Sequence, residues 1–385
     1  VARETPIEGA RWLAEQVGGP VLLKCENLQR AGSFKIRGAY TRMSRLDAEQ
    51  RARGVVAASA GNHAQGVALA AAMLGVPSTV FMPFGAPLPK LAATRGYGAQ
   101  VRQVGQSVDE ALVAAEAFAA ETGAVLIHPF DHPDIVAGQG TVGLEILEQV
   151  PDVRTIVVCT GGGGLLAGIA VAVKGIRPEV RVVGVQAAGA AAYPPSLEAG
   201  APISLAGMAT AADGIAVGRP GDVPFALVAA LVDEVRTVDE EALATAQVLS
   251  LERAKLVVEP AGAAALAAVV GDPGGFEPPV VVVLSGGNVD PLLLLRVIRH
   301  GLAAAGRYAS LRLKIADRPG SLARLLRELA DADANVVEVE HARIDPRLSV
   351  DEVEVEVQVE TKGREHLDEV LARLARSGYQ HVIFD

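Results

Sequence analysis

The sequence predicts an α/β fold built on parallel sheets, followed by a smaller α+β unit. Three observations carry this. From residue 1 to about 305, apolar runs of strand length alternate with Ala-rich helical stretches. Most of those runs are continuously apolar, as in strands covered on both faces. From Tyr308 onward the pattern changes: Val353, Val355, Val357 and Val359 alternate with Glu354, Glu356, Gln358 and Glu360. That period of two marks a strand with one buried and one wet face.

In chain order, the strand-like runs are 21–26, 55–59, 78–82, 101–104, 125–128, 155–159, 181–186 and 280–284. Helical patterns lie between them at 64–74, 107–121, 136–150, 165–174, 240–251 and 260–270. The alternation predicts two open parallel-sheet subdomains with helices on both faces. The smaller subdomain spans roughly 40–140 and is inserted in the larger, the whole running over 1–305. In 306–385, Leu311, Leu313 and Ile315 alternate with polar residues, and Leu322, Leu325, Leu326 and Leu329 follow helical spacing. Residues 336–339 and 353–359 are strands, Leu367, Val370, Leu371 and Leu374 mark a second helix, and Val382, Ile383 and Phe384 a last strand. This is a βαββαβ, ferredoxin-like order.

Composition narrows the function. A length of 385 residues, half of them hydrophobic and 21% charged, supplies sizeable cores for two or three domains. A net charge of −10 argues against nucleic-acid and anionic-membrane partners. The two cysteines, Cys25 and Cys159, lie in apolar runs with no ligand spacing and read as small buried hydrophobes. The expected place is the reducing cytoplasm. There is no signal-peptide pattern and no apolar stretch of about 18 residues.

Five stretches carry chemistry. Gly32-Ser33-Phe34-Lys35-Ile36-Arg37-Gly38 puts a lysine beside an aromatic in a Gly/Ser-bounded turn, whereas a lone lysine ordinarily belongs on a solvated face. Ser59, Ala60, Gly61, Asn62 and His63 follow a strand and open a helix. Unpaired N–H groups there attract anions, so a substrate carboxylate fits, as does a plain βα turn. Gly161, Gly162, Gly163 and Gly164 join another strand to another helix. Such glycines let backbone N–H groups fold around a phosphate, though alone they serve a nucleotide or no ligand equally well. They match neither the dinucleotide fingerprint nor the P-loop. Ser285 ends the 280–284 strand, and Glu259 opens a helix, where an acid can simply complement the helix dipole.

Together these stretches, from Thr5-Pro6 to Asn288, resemble pyridoxal-phosphate (PLP) enzymes of the tryptophan-synthase-β superfamily, fold type II, and within it the threonine/serine dehydratases. The resemblance implies that Lys35 condenses with the PLP aldehyde, with Phe34 over the flat ring. It implies that Asn62 bonds the phenolic oxygen and that Gly161, Gly162, Gly163 and Gly164 cup the phosphate. Ser285 then faces the pyridine nitrogen, and a neutral hydroxyl there makes the ring a weaker electron sink than a carboxylate would. That favours loss of a β-hydroxyl over transamination. Glu259 is placed beside the cofactor or at a cation site. The dehydratase-like segment 211–216 includes Gly214, with Asp213 as a turn residue. Racemases of the family carry Ser where this chain has Ala60, so one-face proton chemistry by Lys35 is expected. The run 186–193 lacks carboxylates, so no Mg²⁺ or Ca²⁺ is expected there and no metal site is assigned; a monovalent cation on backbone carbonyls stays open.

The last unit resembles ACT domains, which bind amino acids between paired subunits. The resemblance places an effector loop at Asp317, Arg318, Pro319, Gly320, Ser321 and Leu322. The implied activity is PLP-dependent β-elimination of L-threonine to 2-oxobutanoate and ammonia, and of L-serine to pyruvate. With it come isoleucine biosynthesis, allosteric isoleucine or valine binding, and a homo-dimer or homo-tetramer. Serine dehydratase, serine racemase and threonine synthase are the rival enzymes, and a non-catalytic amino-acid sensor is the rival of another class.

Overall fold

The computed structural model describes residues 1–342, 351–379 and 381–384. The chain divides into two compact units, Val1–Asp290 and Pro291–Asp385. The division precedes the helix Pro291–Ala304, whereas the change in sequence character was read near residue 305. That helix packs against the first strand of the second unit. Its apolar face shows that it is helical but not which unit it joins.

In the first unit the strands are β1 (Ile7–Gly9), β2 (Val21–Lys24), β3 (Val55–Ala58), β4 (Ser78–Met82) and β5 (Gln100–Gln103). They continue with β6 (Val125–Leu126), β7 (Thr155–Cys159), β8 (Arg181–Ala187), β9 (Glu234–Val238) and β10 (Val280–Val283). Two sheets result. One has the order β1-β2-β10-β7-β8-β9, the other β5-β4-β3-β6. All neighbours are parallel except β1, which runs antiparallel on an edge. The four valines of β10 are wholly buried because helices cover both faces of the sheet centre. β1 and β9 have no counterpart in the sequence reading. β1 is three residues long, and β9 is an edge strand with charged residues, the usual protection of a sheet edge.

Three helices pack closely through glycine. A Cβ on Gly138, in the helix Pro133–Gln149, would lie 2.6 Å from the Arg37 carbonyl oxygen. A Cβ on Gly168, in the helix Gly164–Ile176, would lie 2.4 Å from the Val136 carbonyl oxygen. Helix Pro133–Gln149 therefore touches both the helix Lys35–Ser44 and the helix that follows the glycine run.

A buried ionic cluster holds the same region. Lys24 ends β2 with no exposed surface. Its Nζ donates to the Thr5 carbonyl (2.8 Å), Glu145 Oε2 (2.7 Å) and Gln149 Oε1 (2.8 Å), which uses all three ammonium donors. Arg37 makes a two-pronged contact with Glu26, Nε to Oε2 at 2.8 Å and Nη2 to Oε1 at 2.7 Å. It makes a second with Glu145, at 2.6 and 2.9 Å. Thr5 Oγ1 donates to Glu26 Oε1 at 2.6 Å. Two cations thus meet two anions with their donors satisfied, the condition under which buried charge is tolerable.

The second unit has strands β11 (Tyr308–Ala316), β12 (Asn335–Ala342), β13 (Glu352–Glu360) and β14 (His381–Phe384), in the antiparallel order β12-β13-β11-β14. Helices Ser321–Asp331 and Arg364–Arg376 complete the βαββαβ order. Leu311, Leu313, Val355 and Val357 are buried with Leu325, Leu329, Leu367 and Val370, while Glu354 and Glu356 pair with Arg312 on the other face. Among the described residues no helix is long and apolar enough to cross a membrane.

Removing one anion from the Lys24–Glu145–Arg37–Glu26 cluster leaves a buried positive charge uncompensated. Glu26→Ala is expected to cost about 3–5 kcal/mol, read as a lower urea midpoint at unchanged slope.

Candidate active site

In both sheets the loops of interest leave the carboxyl ends of parallel strands, where open α/β folds bind ligands. β10 lies between β2 and β7, so the segments after these three strands are neighbours. Ser33 and Gly286 form an isolated bridge. The Phe34 N–H donates to the Ser285 carbonyl at 3.2 Å, and the Gly287 N–H to the Gly32 carbonyl at 2.9 Å. Gly32 has φ +69°, and a Cβ there would lie 2.2 Å from Asn288 Oδ1. Only glycine admits both the left-handed backbone and that approach.

Lys35 is the first residue of the helix Lys35–Ser44, not part of a turn as its Gly/Ser surroundings suggested. The turn before it is a short 3-10 segment, Arg30–Gly32, with Ala31 left-handed at φ 60°. Lys35 Nζ donates to the Pro129 carbonyl at 3.0 Å and lies 5.1 Å from the centre of the Phe34 ring. The side chain is half-buried, and desolvation lowers its pKa to about 8, against smaller upward pulls from Cys159 and Glu259. An amine so placed has a usable neutral fraction near neutral pH, as a nucleophilic lysine needs.

The start of helix Asn62–Leu74 closes one side. No side chain caps it, and the Gly61 N–H turns back to Ser59 Oγ at 3.1 Å. Asn62 Nδ2 donates to Glu259 Oε1 at 2.5 Å, and Asn62 Oδ1 accepts from Asn288 Nδ2 at 2.8 Å. The Asn288 amide also donates to the Ala31 carbonyl at 2.7 Å. Glu259 precedes the helix Pro260–Gly271 but makes no side-chain cap there; its carboxyl group is held by Asn62 instead. Its Oε2 is buried without a hydrogen-bond partner among the described residues. Burial, and secondarily Asp213, push its pKa up to about 7.

His63 offers this helix start its backbone and not its ring. Its ring is buried, and Nε2 donates to the Ile127 carbonyl at 2.7 Å. Burial, with Lys35 nearby, pushes its pKa down to about 3. The side chain points into the protein, because the first helical turn lies on the sheet. What His63 retains for a ligand is its backbone N–H; Ser59, Ala60, Gly61 and Asn62 stay half-buried.

The glycine run lies opposite. Gly163 is left-handed (φ +97°), and a Cβ on it would lie 1.8 Å from Tyr193 Oη. A Cβ on Gly162 would strike the Phe130 ring at 2.4 Å, and one on Gly164 would lie 2.9 Å from Phe130 Cβ. A Cβ on Gly161 would lie 3.0 Å from Ile215 Cα. Phe130 follows the residue that accepts the Lys35 amine, which connects the amine to the glycine run. No side chain caps the helix start at Gly164. Ser285 Oγ accepts from Cys159 Sγ at 3.0 Å, so Cys159 borders the site as well as the core. Burial raises that thiol to about 11, so it stays protonated. Gly214 adjoins Glu259: a Cβ there would lie 3.7 Å from Oε1.

Lys35, Phe34, Asn62, Glu259, Ser285, Gly214 and the four glycines thus form one cluster. Phe130, Tyr193 and Lys90 border it and were not singled out from the sequence, where nothing but proximity to a motif marks Phe130. In the second unit Asp317, Arg318, Pro319 and Gly320 are exposed. Gly320 (φ +86°) begins the helix Ser321–Asp331, and Arg324 Nη2 donates to Ser321 Oγ at 3.0 Å. Gln186 Oε1 accepts the Tyr193 N–H, and among the described residues no group of three or more His, Cys, Asp or Glu could hold a metal.

An uncapped glycine turn at a helix start, an enclosed amine and a buried hydroxyl suit a flat cofactor bearing a phosphate and an aldehyde. Residues 1–286 match the family model described as pyridoxal-phosphate dependent enzyme, and residues 309–376 match the ACT domain model. The chain is 48% identical over 381 residues to the L-threonine ammonia-lyase of Geobacter sulfurreducens, covering 98% of this chain and 94% of that one. It is 46% identical over 380 residues to the L-threonine ammonia-lyase of Thermotoga maritima, covering 99% and 95%. Among solved structures, the processed form of threonine deaminase isoform 2 from Solanum lycopersicum superposes with a TM-score of 0.76 at 37% identity, covering 78% of this chain and 88% of that one.

The lowered pKa of Lys35 has a direct readout. Acylation of the cofactor-free protein, followed by peptide mass spectrometry, should label Lys35 with an inflection near pH 8, about two units below an ordinary lysine. Labelling of Lys35 that rises only above about pH 10 would contradict the enclosed amine.

Proposed function

From the premise that this chain belongs to the pyridoxal-phosphate-dependent enzyme family and ends in an ACT domain, we propose that it deaminates L-threonine to 2-oxobutanoate and ammonia. The observation that carries the reading is the Lys35 amine, enclosed beside Phe34 with its pKa drawn down to about 8. The relatives named for L-threonine match both units almost end to end, which supports this substrate over others of the family.

When bound, pyridoxal phosphate supplies an aldehyde for amine capture and a conjugated ring that delocalises the electron pair left at Cα. Gly161, Gly162, Gly163 and Gly164 would hold its phosphate with N–H groups at the start of helix Gly164–Ile176. Phe34 would border its ring, Asn62 its phenolic oxygen and Ser285 its ring nitrogen. Lys35 holds the cofactor between turnovers, then takes the Cα proton on its neutral Nζ. The N–H groups at the start of helix Asn62–Leu74 bind and orient the substrate carboxylate. The β-hydroxyl leaves as water with the proton that Lys35 took from Cα, and the enamine-level product takes up one water to give the oxoacid and ammonia. Ala60 has no proton to give on the opposite face, so L-serine yields pyruvate without racemisation.

The second unit would bind an amino acid, isoleucine or valine, through Asp317, Arg318, Pro319, Gly320, Ser321 and Leu322. Allosteric control in a paired assembly, a dimer or a tetramer, in the cytoplasm, completes the reading.

Lys35→Ala should abolish the cofactor absorbance band and reduce 2-oxobutanoate formation by at least about 10²–10⁴-fold. A variant that keeps both would overturn the assignment. Gly163→Ala, which drives a Cβ onto Tyr193 Oη, should lose pyridoxal phosphate on dialysis. L-Serine should give pyruvate, with no D-serine on a chiral column.

A further inference from the structure

Lys90 belongs to no motif read from the sequence, yet it is 7% exposed and lies beside the start of helix Asn62–Leu74. It comes from the helix Leu88–Gly96, which packs with the four-stranded sheet. Its Nζ donates to Asp213 Oδ2 at 2.6 Å, and Asp213 lies on the turn Asp213–Ile215, under the glycine run of the six-stranded sheet. The pair therefore spans the two sheets of the first unit. A Cβ built on Gly61 would lie 3.4 Å from Lys90 Nζ. The charges of both Lys90 and Asp213 are felt at Glu259, which holds the Asn62 amide.

An ammonium carries three donors, and Asp213 takes one. Among the described residues no other acceptor bonds Lys90 Nζ. Burying an ammonium with unused donors is costly unless a ligand or water completes it. The unused donors lie next to Gly61, where the adjoining helix start also has free N–H groups. Both features select an anion. In the reaction proposed above, the substrate amine is taken up by the cofactor and the β-hydroxyl is neutral. The α-carboxylate is the one anionic group left.

We propose that Lys90 is a substrate-binding residue that pairs with the α-carboxylate at the Gly61 loop, with Asp213 bracing it from the opposite sheet. This rests on the lyase reading and extends it: carboxylate recognition combines a full charge from one helix with the backbone donors of another. Because Asp213 occupies one donor, Lys90 keeps its brace while it serves the substrate.

The test compares two probes on the pyridoxal-phosphate-loaded protein by the change in the cofactor band. L-Alanine has the carboxylate but no leaving group, and ethylamine is the same molecule without the carboxylate. Lys90→Met and Lys90→Gln should weaken L-alanine by about 10- to 100-fold, the range for one charge-assisted hydrogen bond. Ethylamine affinity, the cofactor band and Tm should stay as in the parent protein. Lys90→Arg keeps the charge and should recover most of the L-alanine affinity. Equal weakening of both probes, unchanged L-alanine binding in Lys90→Gln, or a loss in Lys90→Arg as large as in Lys90→Gln would each overturn the proposal. A parent protein whose band does not respond to L-alanine would overturn the lyase reading and this inference with it.

Discussion

The insertion of β10 between β2 and β7 is the constraint on which the site depends. Parallel pairing in this order brings three separate chain segments to the carboxyl end of one sheet. The ladder extends past the strands: Leu284 donates to the Lys24 carbonyl, Asn27 to the Leu284 carbonyl, and Phe34 to the Ser285 carbonyl. Each of these bonds fixes backbone, so the sheet places the Cα atoms from which the Lys35 and Ser285 side chains reach the site. The buried Lys24–Glu145–Arg37–Glu26 cluster then holds the helix that begins at Lys35 from its other face.

Two kinds of electrostatics meet around that amine. Desolvation favours the neutral base at Lys35 and His63 and the neutral acid at Glu259. The site thus carries less formal charge than its residue types suggest, which suits proton transfer to and from carbon. Charge is concentrated one step away, in Lys90 and Asp213 and at two uncapped helix starts.

The fold was largely legible in the sequence because its strands are buried on both faces and its last unit alternates strictly. The short β1 and the polar edge strand β9 were not legible, since neither has an apolar signature. That Lys35, Ser285 and the glycines come together could be read from motif order. The inward turn of His63 could not, because a histidine in a first helical turn has the same sequence context whether it faces ligand or sheet. Lys90 was hidden for a related reason. Its partner, Asp213, is 123 residues away, and no local pattern reports a bond across two sheets. The boundary between units was read beyond the helix Pro291–Ala304, since helical periodicity names a buried face but not its owner.

The glycine contacts of helix Pro133–Gln149 have a consequence for redesign. Gly138 meets the helix that starts at Lys35, and the single turn from Val136 to Gly140 meets Gly168 in the helix that starts at Gly164. One rod thus sets the spacing between the helix that starts at Lys35 and the helix that follows the glycine run. Fitting a longer or shorter coenzyme analogue would mean recutting that spacer before any residue of the cluster itself is changed.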